Sequence, residues 1–162
     1  MKRFMIGTIA GFTLALVGVI VLNTPPATAH EHVIKERIDL MRQGVLGNFQ
    51  VIKAYVKDGK GAMADVEKAA KGVQAAAAKV PALFSKGTGR PDVDEQKTRS
   101  LAKIWEDWVT FEKANNAMAS HAGAVAAAAA KGDADGIKKS FGMMGKEGCG
   151  GCHKPFRGPK AK

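Results

Sequence analysis

Cysteine is nearly absent from this chain of 162 residues: there are two, Cys149 and Cys152, three apart near the C-terminal end. A disulfide between them would close a loop too small to stabilise a domain of this size much, so the pair asks for another explanation. Aromatic residues are sparse at 6%, with one tyrosine. The lysines and arginines are spread along the chain instead of forming a block with interleaved aromatics, which argues against a nucleic-acid groove. Strand-like alternation is missing; Val51–Val56 would pass as a strand in isolation but continues a longer helical pattern. No internal repeat supports a solenoid. No Ser/His/Asp set, paired carboxylates or phosphate loop occurs, so the chain is not expected to be an enzyme, and any turnover would have to belong to a bound cofactor.

What is present begins with a leader. Lys2 and Arg3 precede an apolar run from Phe4 to Leu22, Pro25-Pro26 break any helix there, and Ala27-Thr28-Ala29 form a small-residue cleavage site. Residues 1–29 are therefore expected to be a signal peptide that directs the chain to the periplasm, and residues 30–162 the mature domain starting at His30. The apolar run is longer than the usual ~7–15 residues, and uncleaved it could span a bilayer as an anchor. The formal charge of +10 includes Lys2 and Arg3, leaving +8 on the mature domain, read as a solvated basic surface. At 46% hydrophobic residues, the chain can bury one core but not two.

Every long apolar pattern has the helical period. Ile34, Ile38, Met41, Val45, Phe49, Ile52 and Val56 share one face of a first helix, His32 to Val56, ended by Asp58-Gly59-Lys60-Gly61. Val66, Ala70, Val73, Ala77 and Val80 define a second, from Ala62 to Pro81. Ser85 to Asp94 read as a loop. A third helix is expected from Glu95 to Gly132, through Leu101, Ile104, Trp105, Trp108, Phe111, Met118, Ala122 and Val125. Asp133 can cap a fourth, with Ile137, Phe141 and Met144 facing inward, followed by a glycine-interrupted stretch. Four helices with short or medium loops imply an all-α, antiparallel four-helix bundle.

Cys149-Gly150-Gly151-Cys152-His153 is a C-x-x-C-H pentapeptide, the attachment signature of c-type haem. On a helical turn, positions i, i+3 and i+4 share one side, so two thiols can bond the porphyrin vinyl groups while the imidazole reaches the iron. Three alternatives compete. A zinc site lacks a second ligand cluster, because the other histidines are His30, His32 and the lone His121 on an alanine-rich helix. A thiol-disulfide redox motif would be expected beside a βαβ pattern. A structural disulfide meets the objection above.

With its continuation Lys154-Pro155-Phe156-Arg157, the pentapeptide resembles the ending of the class II cytochromes c, the cytochrome c′ and cytochrome c-556 family. Ile104-Trp105 with Phe111, Gly132-Asp133, and Phe84 with Gly87 are similar to its other landmarks. The resemblance spans essentially all of the mature region. It implies one covalently attached haem c between the helices of a left-handed bundle, His153 as proximal iron ligand and Arg157 at the haem edge or proximal side. Gly145-Lys146-Glu147-Gly148 holds one residue more than the family's usual run into the first cysteine, and Phe49 falls one residue from its best family register. In the family the distal side faces a first-helix residue four positions after a basic one; here Arg37 is followed at that distance by Met41. A methionine there, as in cytochrome c-556, implies six-coordinate iron and electron transfer to redox partners that the sequence does not identify. A non-ligating apolar residue there, as in cytochrome c′, implies five-coordinate iron that binds nitric oxide or carbon monoxide. Met41 also lies on the apolar stripe, where methionine commonly fills core. The likeness to cytochrome c′ leaves room for a helix-packed homodimer.

Overall fold

The computed structural model describes residues 27–161. Residues 1–26 of the expected leader lie outside the described residues, and Ala27–Ala29 open the first helix. Four helical rods pack around one interior. The first joins α1 (Ala27–Asp39), a π-helical segment (Leu40–Gly47) and α2 (Asn48–Asp58) without a break. It stops at Gly59, whose φ of 64° lets its N–H turn back to Ala54 O and Tyr55 O. The second rod is α3 (Met63–Lys79), started by the Asp65 carboxylate accepting from Ala62 N–H and stopped at the 3-10 turn Pro81–Leu83. The third is α4 (Lys103–Glu106) with α5 (Trp108–Ala130); the fourth joins α6 (Ala134–Met143), a second π-helical segment (Met144–Cys149) and α7 (Gly150–Phe156). Asp133 caps α6 through Gly136 N–H at 2.8 Å, as its place in the sequence implied.

Two expectations need correction. The third helix does not begin at Glu95. Residues 85–102 form one long loop, and Asp107 interrupts the rod between α4 and α5 with φ −129° and ψ 57°, its side chain accepting from Thr110 N–H. The helical step through Leu101 is real in the sequence, but Leu101 N–H goes to Phe156 O and Ser100 O accepts from Arg90 N–H, so the backbone there is spent on the loop and the C-terminal segment. The glycine-interrupted stretch after Met144 is likewise not a break. It stays helical by widening, with Gly150 N–H reaching back five residues to Gly145 O. Among the described residues there are no strands, only isolated bridges at Arg90–Leu101 and Ser100–Arg157.

Alanine sets how closely the rods approach. α3 and α5 make the most extensive pairing in the bundle, and both carry buried alanines of one cluster, Ala69, Ala70 and Ala77 in α3 and Ala122, Ala126 and Ala129 in α5. Small residues at the contact permit interaxial distances toward the short end of the usual 8–10 Å. The buried side chains divide into two clusters. One, at the closed end, is built on Ile52, Val66, Val73, Val125, Ile137, Phe141 and Met144. The other comprises Val80, Ile104, Phe111 and Phe156. Leu40 and Met41 touch both.

Arg37 is 4% exposed, and its guanidinium forms no salt bridge with a carboxylate among the described residues. Its guanidinium donates to Thr88 O at 2.9 Å, Thr98 Oγ1 at 2.9 Å, Thr88 Oγ1 at 3.2 Å and Leu83 O at 3.4 Å, and lies 4.6 Å from the centre of the Phe84 ring. Burial lowers its pKa to about 10, which leaves it charged at neutral pH. One side chain thus fixes both ends of the 85–102 loop to the first rod. Arg37→Met, which keeps the volume and removes every donor, should strand those acceptors and lower stability by about 3 kcal/mol, read by chemical denaturation of the haem-loaded protein.

Candidate functional site

Between the two clusters lies a cavity of about 650 Å³, within the ~300–1,000 Å³ range of cofactor and small-molecule sites. All four rods contribute. The first supplies Ile38, Met41, Val45 and Phe49, and the third Ile104, Phe111 and Met118; Val80 and Phe84 close one side; the fourth supplies Cys149, Cys152, His153 and Phe156. The walls are mainly apolar, and Arg42, Lys97, Arg99 and Arg157 add positive charge to the lining.

The cysteine motif gains its position from α7 and the π-helical segment ahead of it. Cys149 closes that segment, and Cys152 and His153 follow three and four residues later in continuous helix, so all three present one side to the cavity. The extra residue counted before Cys149 is accommodated here, because a π turn absorbs one residue while the helix on either side keeps its phase. Gly148 makes this possible. A Cβ on it would lie 2.6 Å from Met118 Cα, so the segment packs directly on the α5 backbone. Gly148→Ala should push the motif off α5, cost about 1–3 kcal/mol and reduce the fraction of chains carrying haem, as read by thermal unfolding and the haem-to-protein ratio. Gly151 has the same function more mildly, with Ala114 Cβ 3.0 Å from its Cβ position.

Beyond the motif, Phe156 O accepts from Leu101 N–H and Gly158 N–H donates to Arg99 O, which fixes the end of α7 to the long loop. Arg157, the first residue past the helix, is extended, exposed and near Arg99, and both burial and that neighbour lower its pKa. His153 is lowered by burial first, then by Arg157 and Arg99. The shift favours the neutral imidazole, the form that offers a lone pair to a metal. The thiols move the other way. Burial raises Cys149, and burial with the neighbouring Cys149 pushes Cys152 up to about 11. Thiol-disulfide enzymes need a lowered thiol pKa, so this environment opposes a redox-motif reading. No disulfide joins the two cysteines.

Met41 lines the same cavity from the first rod. It belongs to the π-helical segment, where Asn48 N–H bonds Val45 O and the Asn48 side chain instead caps Gly44 O at 2.7 Å. Gly72 of α3 leaves room for that side chain, since a Cβ there would lie 2.6 Å from Asn48 Nδ2. The one-residue register offset of Phe49 is thereby absorbed, and Met41, Val45 and Phe49 all reach the cavity. The structure thus brings Met41, Cys149, Cys152, His153 and Arg157 to one cavity. His121 is elsewhere, bonded through Nε2 to Glu147 Oε2 at 2.9 Å. Trp105 and Trp108 stand behind the wall; Trp105 Nε1 donates to Phe84 O at 2.7 Å.

Two residues at the site escaped the sequence reading except as pattern. Arg37, used there only to find Met41, lines the cavity as well as holding the loop. Asn115 is 3% exposed, lines the cavity and donates to Ala77 O at 3.1 Å, while its Oδ1 has no partner. Both interrupt apolar stripes, Ile34-Arg37-Ile38-Met41 and Phe111-Asn115-Met118, and a polar residue in such a stripe is the signal that could have found them.

A covalently held planar porphyrin fits these observations: paired thiols and a neutral imidazole on one helical side, an apolar cavity of suitable volume, and cationic residues to balance its carboxylates. Among curated proteins, none matches the chain by sequence. Solved structures do. Cytochrome c′ from Thermochromatium tepidum is 30% identical with a TM-score of 0.70, over 80% of this chain and 97% of that one. A cytochrome c′ described as having an unusual ligand-controlled dimer dissociation is 28% identical with a TM-score of 0.69, over 80% and 97%. The nitric oxide complex of a point mutant of cytochrome c′ from Alcaligenes xylosoxidans shares the fold at 23% identity and a TM-score of 0.68, over 80% and 97%. The family model for cytochrome c′ matches residues 32–157, and the chain accordingly belongs to the cytochrome c′ family of covalent haem c proteins.

Proposed function

We propose that this protein is a periplasmic single-haem electron carrier in which Cys149 and Cys152 bond the porphyrin, His153 is the proximal iron ligand and Met41 the distal one. The observation that carries the reading is that Met41 lines, from the first rod, the cavity that the cysteine motif lines from the fourth. When bound, haem supplies one-electron chemistry at iron. The chain's part is to hold and surround it. The thiols prevent its loss after export, His153 offers its neutral nitrogen, and Met41 offers a thioether, which favours the reduced state and small rearrangement on electron transfer. Phe111, Phe84 and Phe156, whose rings pack at 4.7 and 5.6 Å around Phe111, exclude water from one side. Arg157 and Arg99 place positive charge at the edge. The leader read from the sequence supports export, and no helix among the described residues is long and apolar enough to cross a membrane. No catalytic turnover is assigned to the chain.

A second reading, a five-coordinate protein that binds nitric oxide or carbon monoxide, has its own support: similar structures include nitric oxide and carbon monoxide complexes of Alcaligenes xylosoxidans cytochrome c′. A ligand-linked homodimer would accompany it, as in the relative with ligand-controlled dissociation. Optical spectra of the oxidised and reduced protein separate the two. Low spin in both states is expected for Met41 ligation; high spin in both would favour gas binding.

A further inference from the structure

Cleavage after Ala29 would create an amino terminus reading His30-Glu31-His32, a histidine at the third position of a free chain end. We propose that this terminus is a copper(II) site, binding one Cu²⁺ through the α-amine, the amide nitrogens of Glu31 and His32, and Nδ1 of His32. The proposal rests on removal of the leader at that bond and is independent of the haem function.

The structure supplies the reason the backbone nitrogens are free to bind. In a helix that begins at Ala27, the N–H groups of Glu31 and His32 donate four residues back, to the carbonyls of Ala27 and Thr28. Cleavage removes both acceptors, and the two amides become unpaired donors of a first helical turn. The side chains are equally available. His32 is 71% exposed and its Nδ1 stands 3.7 Å from Glu36 Oε2, a loose contact. Glu31 reaches Lys97 across the surface, and that pair too is exposed on both sides. Chelation would unwind one terminal turn and release these surface pairs, which contribute little, while the buried core begins only at Ile34.

Four nitrogens at the end of a flexible chain favour square-planar coordination, the geometry of Cu(II) and Ni(II), and copper stands highest in the divalent affinity order. Binding releases the amide protons of Glu31 and His32 and, where present, one proton from the α-amine. The copper remains Cu(II) and no electron is transferred. No other described residues compete: no group of three or more His, Cys, Asp or Glu side chains among them is arranged to hold a metal ion.

The test uses the haem-loaded protein isolated from the periplasm, with intact mass establishing its first residue. Titration with Cu²⁺, followed by electron paramagnetic resonance, should show one copper per chain in a four-nitrogen environment, with the haem spectrum unchanged. Disturbing an outer-shell partner of a metal ligand commonly costs about 10–100-fold in affinity, so His32→Ala, which removes a ligand itself, should cost more than about a hundredfold. One alanine added before His30 should do the same, since it moves His32 to the fourth position and alters no side chain. His121→Ala should change nothing. A mature chain beginning elsewhere than His30, absence of copper binding, or binding that survives His32→Ala or the added alanine would each overturn the proposal, and the mass separates a failure of cleavage from a failure of the site.

Discussion

Protein carrying Cys149→Ser and Cys152→Ser, made in a host that matures c-type cytochromes, should release all of its haem into acid acetone, whereas the parent protein should release none. The expectation follows from two observations taken together. Cys149 and Cys152 line one cavity with His153, and burial raises the pKa of both thiols, which disfavours the thiolate that disulfide exchange requires. Serine keeps the shape of the wall nearly intact, so any loss of haem can be assigned to the missing thioether bonds. Single substitutions should leave one bond each and a haem that still resists extraction. Haem that stays with the double variant would show that the motif is not the attachment site, and freely extractable haem in the parent would refute the covalent reading altogether.

Met41→Leu should convert a low-spin protein to a high-spin one, lower its reduction potential and raise its rate of carbon monoxide binding by at least about tenfold, because an incoming gas no longer waits for the thioether to leave. The substitution nearly conserves volume, and Met41 packs on both buried clusters, so leucine should retain the packing and remove only the sulfur. Thermal unfolding that stays within a few degrees of the parent would assign the spectral change to ligation. A parent already high-spin and unaltered by the substitution would make Met41 plain core and leave gas binding as the leading function.

Helix number, the ends set by Gly59, Pro81, Gly132 and Asp133, and the cysteine motif were all legible in the sequence, because each depends on local chemistry that one residue carries. Glycine at φ 64° or 72° terminates a helix wherever it occurs. The region 85–102 was not legible in the same way. Its helical spacing from Leu101 onward is overridden by partners distant in sequence: Arg37 on Thr88 and Thr98, Arg90 on Thr98 O and Pro159 O, and Leu101 N–H on Phe156 O. Asp107 was a local signal that could have been read, since its side chain caps Thr110 N–H and restarts the helix at Trp108. At the site, spacing identified the residues that line the cavity but not the two π turns that bring them there. The sequence showed these only as register offsets, at Phe49 and before Cys149.

Those turns behave as dislocations do in a crystal. Each confines a mismatch of one residue, about 1.5 Å along the axis and 100° around it in an α-helix, to a single defect so that the lattice beyond it stays in phase. In the first rod the defect sits between Arg37, tied to the loop, and Ile52, fully buried in the closed-end core, two anchors that fix the rotation of the helix independently. A deletion of one residue within Leu40–Gly47 should therefore heal the defect and leave both anchors where they are, while the same deletion in α2 beyond Phe49 would turn Ile52 out of the core. The permissible place for loss of a residue in this rod is the span that carries Met41, so the cavity wall there can be altered by deletion as well as by substitution while Arg37 and Ile52 keep their places.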